Sequence, residues 1–98
     1  MKFDGEYING RRNGKGKEYN YDGKLEFDGE FNNGKRNGKG KEYFDKNIIK
    51  FEGEYLNGER WNGIGYNKKS IIDFKIKDGS GKGKEYFDDG TLKFEMIR

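Results

Sequence analysis

Few residues in this 98-residue chain could carry chemistry, and their spacing argues against catalysis. Glu18, Glu42 and Glu85 share one context, Gly-Lys-Gly-Lys-Glu-Tyr. Recurrence at one place in a repeated segment marks them as repeating structure rather than as an acid and a base flanking a scissile bond. Gly14-Lys15-Gly16-Lys17 looks like a phosphate-cradling loop, but it lacks the four-residue gap between glycines and the Gly-Lys-Ser/Thr ending that such a loop needs. Asp45, Asn47 and residues 88–90 offer oxygen donors without the spacing of an EF-hand. The chain has no His and no Cys, which removes Ser-His-Asp and Cys-His catalysis, imidazole or thiolate metal sites and disulfides. We therefore expect a non-enzymatic protein with no cofactor, no metal and no small-molecule substrate.

The elements that would position any binding residues follow from self-similarity. Phe3 to Glu26 (FDGEYINGRRNGKGKEYNYDGKLE) and Phe27 to Lys50 (FDGEFNNGKRNGKGKEYFDKNIIK) are identical at 14 of 24 positions. A third copy opens at Phe51 with FEGEYLNGERWNGIGY, its turn one residue longer through Trp61. A degraded fourth copy starts near Ile72, with Phe74 in the place of a glycine and Asp78-Gly79 as a shortened turn. Phe94-Glu95-Met96 resembles the start of a fifth, giving a closing strand over residues 91–97.

Within each copy the apolar period is two, the period of a strand. NGRRNG reads as a hairpin turn, and Lys15 to Tyr21 as the return strand. The expected fold is all-β: consecutive hairpins in one elongated, twisted antiparallel sheet of about nine strands, about 40 Å by 20 Å. Phe3, Gly5 and Tyr7 should share a face with Gly14 and Gly16, so that rings lie over glycines on neighbouring strands. Asp4 and Glu6 should oppose Lys15 and Lys17 on the other face, unless a bulge in the turn moves the register. Aromatic residues at 16% set the chain apart from disordered sequences despite 40% charged residues. No apolar run exceeds two residues, so the chain reads as an intracellular, cytoplasmic protein, expected to form one domain over residues 1–98.

FDGEYINGRRNGKG and FDGEFNNGKRNGKG resemble the MORN (membrane occupation and recognition nexus) repeat, and the resemblance extends over the whole chain. It implies a hairpin solenoid serving as an interaction module: a scaffold or dimerisation element at cytoskeletal or membrane-associated structures, with phospholipid binding as a further family property.

Two sets of residues are candidates for binding. The aromatic face, Phe3, Tyr7, Phe27, Phe31, Phe51, Tyr55 and Trp61, would form a groove for a protein partner, with Trp61 exposed in its expanded turn. The hairpin tips, with Arg11, Arg12, Lys35, Arg36 and Arg60, would form a basic edge for acidic phospholipids or an acidic protein. Residues 9–17 and 33–41 each carry four cations and no anion. The leading reading is a protein partner or self-association through the groove or the strand edges, and the nearest rival is peripheral binding to phosphoinositide-type lipids. Nucleic acid ranks third, because a net charge of +3 with 18 carboxylates is a weak electrostatic footprint.

Overall fold

A computed structural model describes the backbone of residues 2–45, 47–86 and 92–97, and the side chains of these as far as Ser80. Among the described residues nine strands lie side by side in chain order as one antiparallel sheet. They are β1 (Lys2–Ile8), β2 (Arg11–Tyr19), β3 (Leu25–Asn32), β4 (Lys35–Asp45), β5 (Ile48–Leu56), β6 (Glu59–Tyr66), β7 (Ile72–Lys77), β8 (Ser80–Tyr86) and β9 (Leu92–Ile97). Phe94 to Met96 falls in β9, but the turn before that strand and the side chains of the expected fifth copy lie outside the described residues. The sheet measures 38 × 31 × 17 Å. It is wider than expected because β2 and β4 run to 9 and 11 residues.

That extra length comes from the turns. Asn9-Gly10, Asn33-Gly34, Asn57-Gly58 and Asp78-Gly79 have positive φ at both positions, 49° to 53° and then 77° to 92°. This is the two-residue turn whose twist matches a hairpin, and Asn-Gly and Asp-Gly are the pairs that adopt it most readily. The expected six-residue turn over Asn9 to Gly14 is thus corrected. The chain reverses at the first Asn-Gly, and Arg11 onwards belongs to β2.

In the first two copies the second Asn-Gly makes a bulge. Gly5 pairs with Gly16 and Tyr7 with Arg12, so Glu6 alone faces Asn13, Gly14 and Lys15. Two extra residues keep the faces in phase. Gly14 takes a φ of +88°, and a Cβ there would meet the Glu6 carboxylate, not a ring. Its expected place under the aromatic residues is corrected accordingly, whereas Gly16 lies directly under Phe3. Glu6 likewise does not meet the Lys15 side chain: its carboxylate accepts the Lys15 backbone N–H at 2.8 Å, and Glu30 does the same for Lys39.

These registers align one glycine per strand across six strands: Gly5, Gly16, Gly29, Gly40, Gly53 and Gly63. The row is sterically required. A Cβ on Gly29 would stand 2.6 Å from the Gly40 Cα and 2.7 Å from the Phe27 ring, and one on Gly63 2.6 Å from the Phe51 ring.

Later copies depart from the pattern. Arg60 pairs with Tyr55 and Gly63 with Gly53, so the run from arginine to row glycine is one residue shorter than Arg12 to Gly16, not longer. Trp61 is added, but the Gly-Lys bulge is gone. In β7, Gly65 pairs with Phe74 and Gly63 with Ile76. Phe74 therefore takes the place of Phe27 and Phe51, and the position that lacks its glycine is Ile76 rather than Phe74.

Candidate functional site

The aromatic residues form a zigzag across the sheet. Ring centroids are 5.3 Å apart for Tyr7 and Phe3, 5.0 Å for Phe3 and Phe31, 5.4 Å for Phe31 and Phe27, and 5.1 Å for Phe27 and Tyr55. Tyr55 and Phe51 follow at 5.7 Å, and Phe51 stacks on Phe74 at 6.1 Å. All but the last are edge-to-face, the arrangement favoured by the ring quadrupole.

Arginines close the outer side. The guanidinium of Arg12 lies 4.1 Å from the Phe3 centroid, Arg36 4.1 Å from Phe27, and Arg60 4.7 Å from Phe51. Each ring is thus enclosed between glycine backbone and a planar cation. The cations are held by the glutamates that the sequence singled out. Arg12 is 3.4 Å from Glu18, which accepts from Arg36 at 2.9 Å; Glu42 accepts from Arg60 at 2.7 and 3.0 Å. Arg36 also approaches Glu42 at 3.9 Å. Glu18 is buried, which is tolerable only because it is doubly paired. Burial alone would raise the Glu42 carboxyl, but the hydrogen bonds and charge of Arg60, the Tyr55 hydroxyl and the charge of Arg36 outweigh it and hold the group below its usual range. Tyr55 is pushed far above the ordinary tyrosine value by burial, then by the charge and hydrogen bond of Glu42, to which it donates at 2.6 Å.

This architecture corrects the expected groove. Phe27, Phe31, Phe51 and Tyr55 are 0 to 4% exposed and have no surface to offer. Phe3 is half-buried, and Tyr7 is exposed. Trp61 is half-buried and packs on the Gly79 turn, where a Cβ would stand 2.8 Å from its ring. The basic edge is divided in the same way. Arg11, which donates to Asn33 at 2.9 Å, and Lys35 are exposed at the tips; Arg12, Arg36 and Arg60 turn onto the rings instead. Sequence reasoning missed this roof, although an arginine stands nine residues after the phenylalanine in all three copies.

The opposite face is open. A recess of about 820 Å³ is floored by Gly29, Gly40 and Gly53 and walled by charges, with Tyr43 at one side. One wall runs Asp28, Lys41, Glu52, and beyond the recess the same row continues through Lys17 to Asp4. The other contains Lys15 beside Glu30 and Lys39 beside Glu54. Signs alternate across the strands as expected. Tyr43 is shifted upward by burial and then by the charges of Asp28 and Glu52.

Successive hairpins joined edge to edge, the first three each covered by rings and a cation of its own, define a β-hairpin repeat protein. The MORN repeat model matches residues 3–24, 27–47 and 80–92, more than half of the chain, which therefore belongs to the MORN repeat family. The stretch between the second and third matches is where the Gly-Lys bulge gives way to a one-residue shift at Trp61 and Ile76 replaces a row glycine. No curated protein matches the chain. MORN repeats are non-catalytic modules that in general contact proteins or membranes. Among the described residues no helix is long and apolar enough to cross a membrane.

Proposed function

We propose that the chain is a non-enzymatic interaction module that receives a polypeptide partner on its charged, glycine-floored face. One observation supports this reading above others: the aromatic face is filled by the chain's own arginines, while the opposite face combines bare backbone with alternating charges and room for side chains. Such a surface selects by charge pattern more than by apolar contact. A second reading, attachment to acidic lipid, retains Arg11 and Lys35 at the tips.

Partner capture by the wild type is compared with Lys39→Glu/Lys41→Glu and with Arg11→Glu/Lys35→Glu, all exposed positions. Loss of the partner only in the first variant supports the recess. Loss only in the second, together with sedimentation on anionic but not neutral vesicles, moves the function to the tips. Unchanged capture by both variants refutes each reading.

A further inference from the structure

The sequence of β1 from Phe3 to Tyr7, FDGEY, returns as FDGEF in β3 and FEGEY in β5. In the two later strands the edge toward the preceding strand is occupied, and both times by the same residues in the same register. Along β3 the pairs are Phe27 with Glu18, Asp28 with Lys17, Gly29 with Gly16, Glu30 with Lys15 and Phe31 with Gly14. Along β5 they are Phe51 with Glu42, Glu52 with Lys41, Gly53 with Gly40, Glu54 with Lys39 and Tyr55 with Gly38. The molecule thus shows twice which strand this edge accepts.

On β1 the corresponding edge carries no strand among the described residues. The difference shows in burial: Tyr7 is 56% exposed, against 4% for Phe31 and Tyr55 at the equivalent positions. It is visible in charge as well. Asp28 lies between Lys17 and Lys41, whereas Asp4 has Lys17 on one side alone, so the alternating row ends on an acid. Glu6 is exposed beside it. An edge of this kind gains main-chain hydrogen bonds from any strand, but side chains decide which strand fits. In the place opposite Gly5, Gly16 and Gly40 are the residues used in those pairs, and a Cβ on Gly40 would stand 3.1 Å from the ring of Tyr55, the equivalent of Tyr7.

We infer that the outer edge of β1 is a strand-acceptor site for an extended polypeptide of the pattern Arg-Asn-Gly-Lys-Gly-Lys-Glu. The strand runs antiparallel, with its glutamate opposite Phe3, its lysines opposite Asp4 and Glu6, its second glycine opposite Gly5 and its first opposite Tyr7. Its arginine reaches toward Tyr7 as Arg12 reaches to 5.8 Å from Phe31 and Arg36 to 6.0 Å from Tyr55. The site is separate from the charged recess and shares with the proposed function only the binding of polypeptide.

The test uses the 98-residue chain and a labelled synthetic peptide, RRNGKGKEY, the sequence of β2. Anisotropy measures binding, and amide hydrogen exchange locates it. Saturable binding is expected, with new protection in residues 2–8. Binding should weaken at least about tenfold for two comparison peptides, a scrambled one of equal composition and one with both lysines changed to glutamate, since each tenfold corresponds to only about 1.4 kcal/mol. Asp4→Lys, an exposed change, should weaken binding similarly, while Lys39→Glu/Lys41→Glu should not. Absence of binding, equal binding of the scrambled or the glutamate peptide, or protection around the recess instead of β1 overturns the inference. A dimer of the chain that the peptide dissociates overturns the choice of occupant. Partner capture that Lys39→Glu/Lys41→Glu leaves unchanged, with peptide binding to β1 intact, refutes the proposed function alone.

Discussion

Replacing Arg36 by alanine tests whether the arginines are structural. The guanidinium donates to Glu18 at 2.9 Å and covers the Phe27 ring at 4.1 Å, with its side chain 27% exposed. A hydrogen bond between charged groups contributes about 1.5 to 3 kcal/mol, less when partly solvated. The cation over the ring adds about 1 kcal/mol. Removal also uncovers Phe27, which is fully buried, and leaves buried Glu18 with Arg12 at 3.4 Å. The expected loss is about 3 kcal/mol, a large part of the roughly 5 to 15 kcal/mol available to a small domain. In urea, with a slope of about 1.5 kcal/mol/M, the midpoint should fall by about 2 M. Trp61 fluorescence and far-UV dichroism should report the same transition. Arg11→Ala, at an exposed tip, should cost no more than about 0.5 kcal/mol. A cycle with Glu18→Gln should give a coupling of about 1 to 2 kcal/mol. If Arg36→Ala unfolds within about 0.5 kcal/mol of Arg11→Ala, the roof does not stabilise the sheet and the reasoning fails.

Gly29→Ala should cost at least about 3 kcal/mol, since the added methyl meets backbone at 2.6 Å that cannot retreat. Gly34→Ala, with nothing within 4 Å but a positive φ, should cost about 1 kcal/mol, and thermal melts that fail to separate the two would refute the steric reading of the glycine row. Acid should unfold the sheet through Glu42. Its folded-state value lies below the unfolded one, so its contribution is complete above the ordinary value of 4.5 and is lost as pH falls through the lowered value. Glu42→Gln should flatten the midpoint-versus-pH curve over that range, and an unchanged slope would exclude Glu42 as its source. Tyr55 acts at the other end: its raised value means stability is complete below the ordinary 10.0 and declines as pH rises beyond it, which Tyr55→Phe should suppress in alkaline melts.

Much of this fold was legible because a repeat states its own rules. The two-residue alternation of FDGEY and the Asn-Gly pairs were enough for hairpins. The repeats even hold a clue to the roof: Arg11, Lys35 and Glu59 vary at one position while Arg12, Arg36 and Arg60 do not at the next, as expected when the first faces solvent and the second is enclosed. Local pattern could not say which Asn-Gly turns the chain and which bulges, because both tolerate positive φ. That choice involves contacts between copies. The Asn13, Asn37 and Asn62 side chains accept backbone N–H groups of Asn33, Asn57 and Asp78 in the following tip. These bonds to the next hairpin add to those that Glu6 and Glu30 make within their own copies, and together they hold the bulge in place. Hairpins, repeat period and family thus follow from residue order, since they rest on contacts near in sequence. Which face is closed and which is open depends on contacts between repeats, such as Arg36 with Glu18, and those arise only from packing.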